Sequence, residues 1–367
     1  MLKVAIIGCG KIADTHAAQI QRIPDCELVA VCDQEELMAQ QLYERFPVRR
    51  FYTDLKTMLA ESRPEVVHIT TPPQSHLPIA LQCLEYDCHL FVEKPFTIDT
   101  REAQTLLDAA RRADRKVTVG HDAQFSDVHR ALRRLVRNGY TGDRVVHLDS
   151  TWCYDLWDVT YAKALLDNDL HWSRQLPGGL LQNIISHGLA KIAEFLQDEA
   201  PAVTARGFVS PFLKSAGENR LIDELRVIIQ DSPGTSAYFT FSSQLRPALN
   251  QFVLYGSKNG VMIDEDRRMV VKLSGTTFKS YANHLIPPMT CAGQYAANCL
   301  HNLAQFLKMD SHMDSGRKHL IEAFYRAITH NEPLPISYAE ILRISRIMDA
   351  IFAQLDAQRS APHADAP

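Results

Sequence analysis

The first 120 residues alternate short apolar runs rich in β-branched residues with longer segments of helical period, the pattern of a parallel sheet joined by crossover helices. Strands are predicted at Lys3 to Gly8, Glu27 to Asp33, Glu65 to Thr70, His89 to Glu93 and Lys116 to Gly120. Helices are predicted around Ile12 to Ile23, Glu35 to Phe46, Asp54 to Glu61, Ser75 to Tyr86 and Thr100 to Ala113, several opened by a Ser, Thr or Asp that can cap exposed amides. After His121 the rhythm changes. A helix over Val128 to Asn138, a strand from Arg144, a loop with Trp152, Trp157 and Trp172 and a helix after Gly179 lead into strand-like runs. These are Val203 to Phe208, Leu225 to Gln230, Ser236 to Ser242, Phe252 to Tyr255, Val261 to Asp264 and Met269 to Leu273, with helices again from Ala296 to Lys308 and Gly316 to His330. The expected fold class is α/β: a doubly wound parallel sheet of Rossmann type over residues 1–120, then a C-terminal α+β domain over 121–355 with an open, largely antiparallel sheet. The Ala, Pro and polar composition of residues 356–367 predicts a disordered tail.

A chain of 367 residues, 46% hydrophobic and 22% charged, exceeds one compact domain, which agrees with that division. Its net charge of -4 leaves no whole-chain basic field for nucleic acid or anionic lipid, so a small-molecule partner is expected. Arg130, Arg133, Arg134 and Arg137 form a basic stripe, but the intervening Leu132, Leu135 and Val136 make it the solvated face of an amphipathic helix. Eight scattered cysteines, without a C-x-x-C pair or zinc-type spacing, fit a reducing, cytoplasmic setting. The chain enters a strand-like run at Leu2 and has no stretch of about 18 apolar residues, so neither export nor membrane insertion is expected. His121, Asp122 and His129 match no ligand signature, and no metal is expected.

Candidate chemistry sits at the strand ends. Gly8-Cys9-Gly10-Lys11-Ile12-Ala13 reads G-x-G-x-x-A between a first strand and a first helix. Gly8 would make the tight turn, Gly10 would let a pyrophosphate approach the backbone, and Ala13 would let helix and strand pack closely. The phosphate charge would rest on the helix N-terminus at Lys11 and Ile12. Asp33 ends the second strand at the roughly 20-residue interval expected of the acid that binds the adenosine ribose. A carboxylate there repels a 2′-phosphate, and no Arg or Lys follows it directly, so the expected cofactor is NAD rather than NADP. Lys94 closes the fourth predicted strand, where ligands bind in such sheets and where its ammonium could polarise a carbonyl.

The order of G-x-G-x-x-A, strand-end Asp, Thr71-Pro72 with His76, and Glu93-Lys94-Pro95 resembles the glucose-fructose oxidoreductase, inositol dehydrogenase and rhizopine catabolism family of NAD(P)-dependent enzymes. The resemblance covers roughly residues 1 to 355, including the closing Asn331-Glu332-Pro333-Leu334-Pro335-Ile336 segment. It implies a polyhydroxylated substrate, such as a sugar, cyclitol or nucleotide sugar, and a homodimer or homotetramer assembled through the C-terminal sheet. Lys94 falls on the family lysine; Thr71, Pro72, His76 and Glu93 would border the cofactor; His121, Gln124, Trp172 and Arg174 lie in segments that line the family's substrate cleft. Members commonly show G-G-G-x-x-x-D-x-G-x-H where this chain reads Pro177-Gly178-Gly179-Leu180-Leu181-Gln182-Asn183-Ile184-Ile185-Ser186-His187. His187 keeps its place, while Asn183 replaces the acid four residues earlier and would share a helix face with it, directed toward Lys94. Asn183 can hold a substrate hydroxyl or fix the imidazole, but cannot take a proton. The expected activity is hydride transfer between the nicotinamide and a hydroxyl or carbonyl carbon, with Lys94 orienting the oxygen and His187 exchanging its proton. The alternatives are a redox-neutral reaction (elimination, epimerisation or glycoside cleavage through a transient ketone) and a non-enzymatic NAD-binding regulator.

Overall fold

The structure, a computed structural model, describes residues 1–156, 171–307 and 316–360. Trp157 lies outside the described residues. Met1–Asp122 and Gly316–Arg346 form one compact unit; Ala123–Ser315 and Ile347–Pro367 form another. The division read from the sequence, 1–120 and then 121–355, therefore needs correction, because the helix Arg317–Thr329 and the start of Tyr338–Ser360 belong with the N-terminal residues. No local pattern announces such a return of the chain.

In the first unit, β1 (Leu2–Ile7), β2 (Cys26–Cys32), β3 (Arg50–Tyr52), β4 (Val66–Ile69), β5 (His89–Val92) and β6 (Val117–Val119) lie in the order β3-β2-β1-β4-β5-β6. All neighbours are parallel. Val66 to Ile69 are all buried, His68 included, which is why the central strands read as mostly apolar runs. The strand β3 was not predicted: its three residues, Arg-Phe-Tyr, sit at the sheet edge and none is fully buried, so they carry no apolar signal. Asp54 and Asp99 cap the helices Leu55–Ser62 and Thr100–Arg112 by accepting from the Thr57 and Glu102 amides at 2.8 and 2.7 Å.

The second unit holds a seven-stranded sheet: β7 (Val145–Cys153), β8 (Ala202–Phe208), β9 (Glu224–Gln230), β10 (Ser236–Ser242), β11 (Gln251–Gly256), β12 (Gly260–Asp264) and β13 (Met269–Leu273), in the order β13-β12-β11-β7-β10-β9-β8. Only the β7 and β10 pair is parallel, so the sheet is largely antiparallel as expected. The helix Ser186–Ala193 covers one face, tightly enough that a Cβ at Gly188 would come within 2.3 Å of the Phe239 ring. The opposite face exposes Phe208, Ile228, Tyr238 and Tyr255, whereas Phe239 and Phe241 point into the core.

Three sequence expectations change. The helix expected from Ala296 runs over Ala282–Leu307 and contains Pro287 and Pro288, a pair that reads as a helix break. The tail expected from residue 356 is still helical to Ser360. Arg133, assigned to a solvated face, pairs with Glu194 at 2.9 Å and lies over the Phe125 ring. Among the described residues, no helix is long and apolar enough to cross a membrane.

Candidate active site

The first unit gathers its chemistry at the carboxyl ends of its parallel strands. Gly8 follows β1 at φ +91, a conformation L side chains rarely adopt, and a Cβ there would stand 2.6 Å from the Thr71 side chain and 2.8 Å from its amide nitrogen. Only glycine lets the loop after β1 touch the loop after β4. Gly10 differs: its backbone is extended, and a Cβ there would meet nothing within 4 Å. It precedes the helix Lys11–Ile20, whose N-terminus no side chain caps. Open space in front of uncapped amides is what a pyrophosphate requires, so Gly10, Lys11 and Ile12 fit a dinucleotide.

Asp33 accepts hydrogen bonds from the Cys9 amide to Oδ2 at 2.7 Å and from the Glu35 amide to Oδ1 at 3.0 Å. A carboxylate has about four acceptor sites, so two remain for a ribose diol. Asp33 thus steadies the glycine loop, and its carboxylate would repel a ribose phosphate placed there. We expect NAD to bind more tightly than NADP and Asp33→Ser to narrow that preference, read as the ratio of Kd values from fluorescence titration. Wild-type protein that binds NADP as tightly as NAD would contradict the assignment.

Thr71 and Pro72 lie in the loop after β4, beside Gly8. His76, expected to border the cofactor, is instead fully buried, with Nε2 2.8 Å from the Thr71 carbonyl and Nδ1 3.1 Å from that of Phe96. Burial lowers its pKa; it fastens the loop. Glu93 is also buried. It accepts from His16 Nε2 at 2.8 Å and from its neighbour's amide, Lys94 N, at 3.0 Å. Burial alone would raise the Glu93 pKa, but the His16 hydrogen bond and the Arg317 guanidinium outweigh it and hold the carboxyl far below its ordinary value. Lys94 is partly buried; burial lowers its pKa, opposed by Glu93 and Asp122. His121 is buried at the end of β6 and pushed down to about 3, chiefly by burial, so its imidazole is neutral at physiological pH.

His16, His68, Arg317 and Tyr325 were missed by sequence reasoning. Arg317 pairs with Asp122 at 2.7 Å and reaches the Thr15 hydroxyl at 2.5 Å. The only sequence signal was a histidine within each of two apolar segments; nothing marks an arginine some 200 residues farther on.

In the second unit the expected helix bearing Asn183 and His187 is two, Gly179–Ile184 and Ser186–Ala193, joined at Ile185 with right-handed helical backbone. Asn183 is buried and His187 half-buried. The His187 ring lies 5.6 Å from that of Trp152, which in turn lies under the Lys191 ammonium at 4.4 Å. Lys191 is fully buried and paired with Glu265. Gln124, expected to touch substrate, is fully buried and donates to the Ala190 carbonyl at 3.1 Å, a structural tie. Trp172 opens a short 3-10 turn, and Arg174 in the same turn pairs with Glu218 at 3.0 Å. Arg174 borders a cavity of about 320 Å³ that includes Gly178, Gly179, Arg220 and Phe352.

Residues 2–121 match the family described as "Oxidoreductase family, NAD-binding Rossmann fold". The D-glucoside 3-dehydrogenase of Escherichia coli K12 is 35% identical over 143 residues, 39% of this chain and 41% of that protein. The chain therefore aligns with about two-fifths of that relative's length. The myo-inositol 2-dehydrogenase of Thermotoga maritima is 21% identical over 74% of this chain and 78% of its own. Among solved structures, the WlbA dehydrogenase of Bordetella pertussis, in complex with NADH and UDP-GlcNAcA, superposes with a TM-score of 0.77 at 15% identity, over 97% of this chain and 96% of that one. The likeness at that identity establishes the fold.

Proposed function

We infer, from the match of residues 2–121 to an oxidoreductase family with an NAD-binding Rossmann fold, that the chain is an NAD-dependent dehydrogenase of sugars, cyclitols or nucleotide sugars. The observation that carries this reading is the strand-end cluster: an open glycine loop steadied by Asp33, with Lys94 beside a buried, ionised Glu93. Gly8, Gly10, Lys11, Ile12 and Asp33 would hold the dinucleotide. When bound, its nicotinamide supplies a reversible acceptor for a hydride. The Lys94 ammonium donates to the reacting oxygen and polarises its bond to carbon. His187 takes the proton from a substrate hydroxyl, or returns it to an oxygen that regains one. Asn183 orients the imidazole or a neighbouring hydroxyl, with Trp172 and Arg174 in the substrate segment. The relatives that act on a glucoside and on an inositol support a polyhydroxylated substrate. A panel of glucosides, inositols and nucleotide sugars, followed through nicotinamide absorbance, tests the reading. Product formed with co-purified NAD and no net NADH would favour the redox-neutral reaction instead.

Assembly belongs to the same reading. The open face of the second sheet, with Phe208, Ile228, Tyr238 and Tyr255 exposed across five successive strands counting β7 between β10 and β11, is an apolar surface of the kind a partner buries. We expect a homodimer or homotetramer by light scattering at micromolar concentration. The double variant Ile228→Glu with Tyr238→Lys should reduce it to monomer, and a wild type that is monomeric throughout that range would contradict the proposal.

A further inference from the structure

A line of buried polar groups crosses the first unit beneath Lys94. His68 Nε2 lies 2.8 Å from the Tyr325 hydroxyl, His68 Nδ1 lies 2.8 Å from His16 Nδ1, and His16 Nε2 lies 2.8 Å from Glu93 Oε1. Both histidines are fully buried, and His68 stacks flat on Phe91 at 4.7 Å between ring centres. Proton positions follow from donor and acceptor inventory. An ionised Glu93 only accepts, so His16 carries its hydrogen on Nε2. Burial lowers the pKa of both imidazoles, so His16 Nδ1 is an acceptor, His68 Nδ1 must donate to it, and His68 Nε2 accepts from Tyr325. Three hydrogen bonds therefore all point toward Glu93. From the other side Arg317, held by Asp122, approaches Glu93 Oε1 at 3.9 Å.

We propose that His16, His68, Tyr325 and Arg317 are positioning residues for Lys94: the one-way chain and the arginine clamp the Glu93 carboxylate, whose Oε2 fixes the Lys94 amide. The inference rests on the proposed function only for its consequence, the presentation of a charged Lys94 to substrate. The charged groups around Lys94 are Glu93 and Asp122, which favour its ammonium form, and Arg317, which opposes it; the neighbouring His121 is neutral. The far end, Tyr325, borders a cavity of about 430 Å³ lined also by Asp25, Glu65, Glu322, Arg326 and His330.

Two measurements that need no substrate test the clamp. In histidine-labelled protein, long-range ¹H–¹⁵N spectra should show His16 as the Nε2–H tautomer and His68 as the Nδ1–H tautomer at neutral pH, assigned through His16→Gln and His68→Asn. His68→Asn, which keeps a donor for His16 Nδ1, and His68→Leu, which removes it, should both preserve the His16 tautomer because Glu93 holds its Nε2–H, but only His68→Leu should move the His16 Nδ1 ¹⁵N resonance, through the lost hydrogen bond. The opposite tautomers in the wild type, or a His16 Nδ1 resonance indifferent to His68→Leu, would overturn the chain. Second, competitive acetylation of Lys94 against pH, read by mass spectrometry, should give a lower Lys94 pKa in Glu93→Gln and a higher one in Arg317→Met, each by roughly 1 unit or more. General loosening of the fold would move both variants the same way; shifts of equal sign, or none, would overturn the clamp. If the shifts appear and every polyhydroxylated compound is inert, the clamp stands and the proposed function fails.

Discussion

Lys94→Ala and His187→Ala should each lower kcat by roughly 10²- to 10⁴-fold, the range of a positioned acid, base or polarising group, with NAD affinity close to that of the wild type. The two residues fail for different reasons. Removing the ammonium at the end of β5 takes away the charge that polarises the reacting oxygen, and Glu93 then has one cation fewer near it. Removing the imidazole takes away the group that exchanges the proton and leaves the Trp152 ring without its neighbour at 5.6 Å. With Lys94 required as the ammonium, activity should be full below its pKa and fall as pH rises through it. That pKa lies below the ordinary lysine value because of burial, so the alkaline limb should come earlier than an exposed lysine would give. Steady-state pH profiles of wild type and the two variants check both points, and NAD titration serves as the control.

The second large effect separates the two glycines of the loop. Gly10→Val should fold with wild-type thermal stability, because a Cβ there meets nothing within 4 Å and the extended backbone suits any residue. It should nevertheless bind NAD some 10- to 100-fold more weakly, a loss of about 1.4 to 2.8 kcal/mol, since the added side chain fills the approach of the pyrophosphate. Gly8→Ala should do the reverse of the first half. Its backbone at φ +91 costs about 1–3 kcal/mol for an L residue, and the collision with Thr71 adds a similar overpacking cost. Thermal unfolding should therefore drop sharply for Gly8→Ala and stay unchanged for Gly10→Val. Equal stability losses in both would show that the loop is filled by protein and has no room for a ligand.

Most of the parallel sheet was legible because its strands are largely buried on both faces and so run mostly apolar. The strand β3 was not, since an edge strand of Arg50, Phe51 and Tyr52 has nothing periodic to show. Glycine-loop, strand-end and Lys94 positions could be proposed because each is a chemical requirement set beside a recognisable element, and the structure places them at the carboxyl ends of β1, β2 and β5. The roles of His76, Gln124 and Glu93 were not. Sequence places a polar residue near a site, but cannot tell whether its side chain faces ligand or core: His76 and Gln124 turn inward onto carbonyls, and Glu93 faces His16. The return of Arg317 and Tyr325 to the first unit is a long-range event with no local signature, which is also why the clamp beneath Lys94 could not be read from spacing.

The most direct test of the central claim is a single-turnover assay: protein mixed with NAD and, in turn, each member of a panel of glucosides, inositols and nucleotide sugars, with nicotinamide absorbance followed in time. The account predicts NADH formation with at least one polyhydroxylated compound in the wild type, and its near loss in Lys94→Ala at undiminished NAD occupancy. NADH formed equally fast by Lys94→Ala and His187→Ala, or none formed with any of these compounds by a protein that binds NAD, would contradict it.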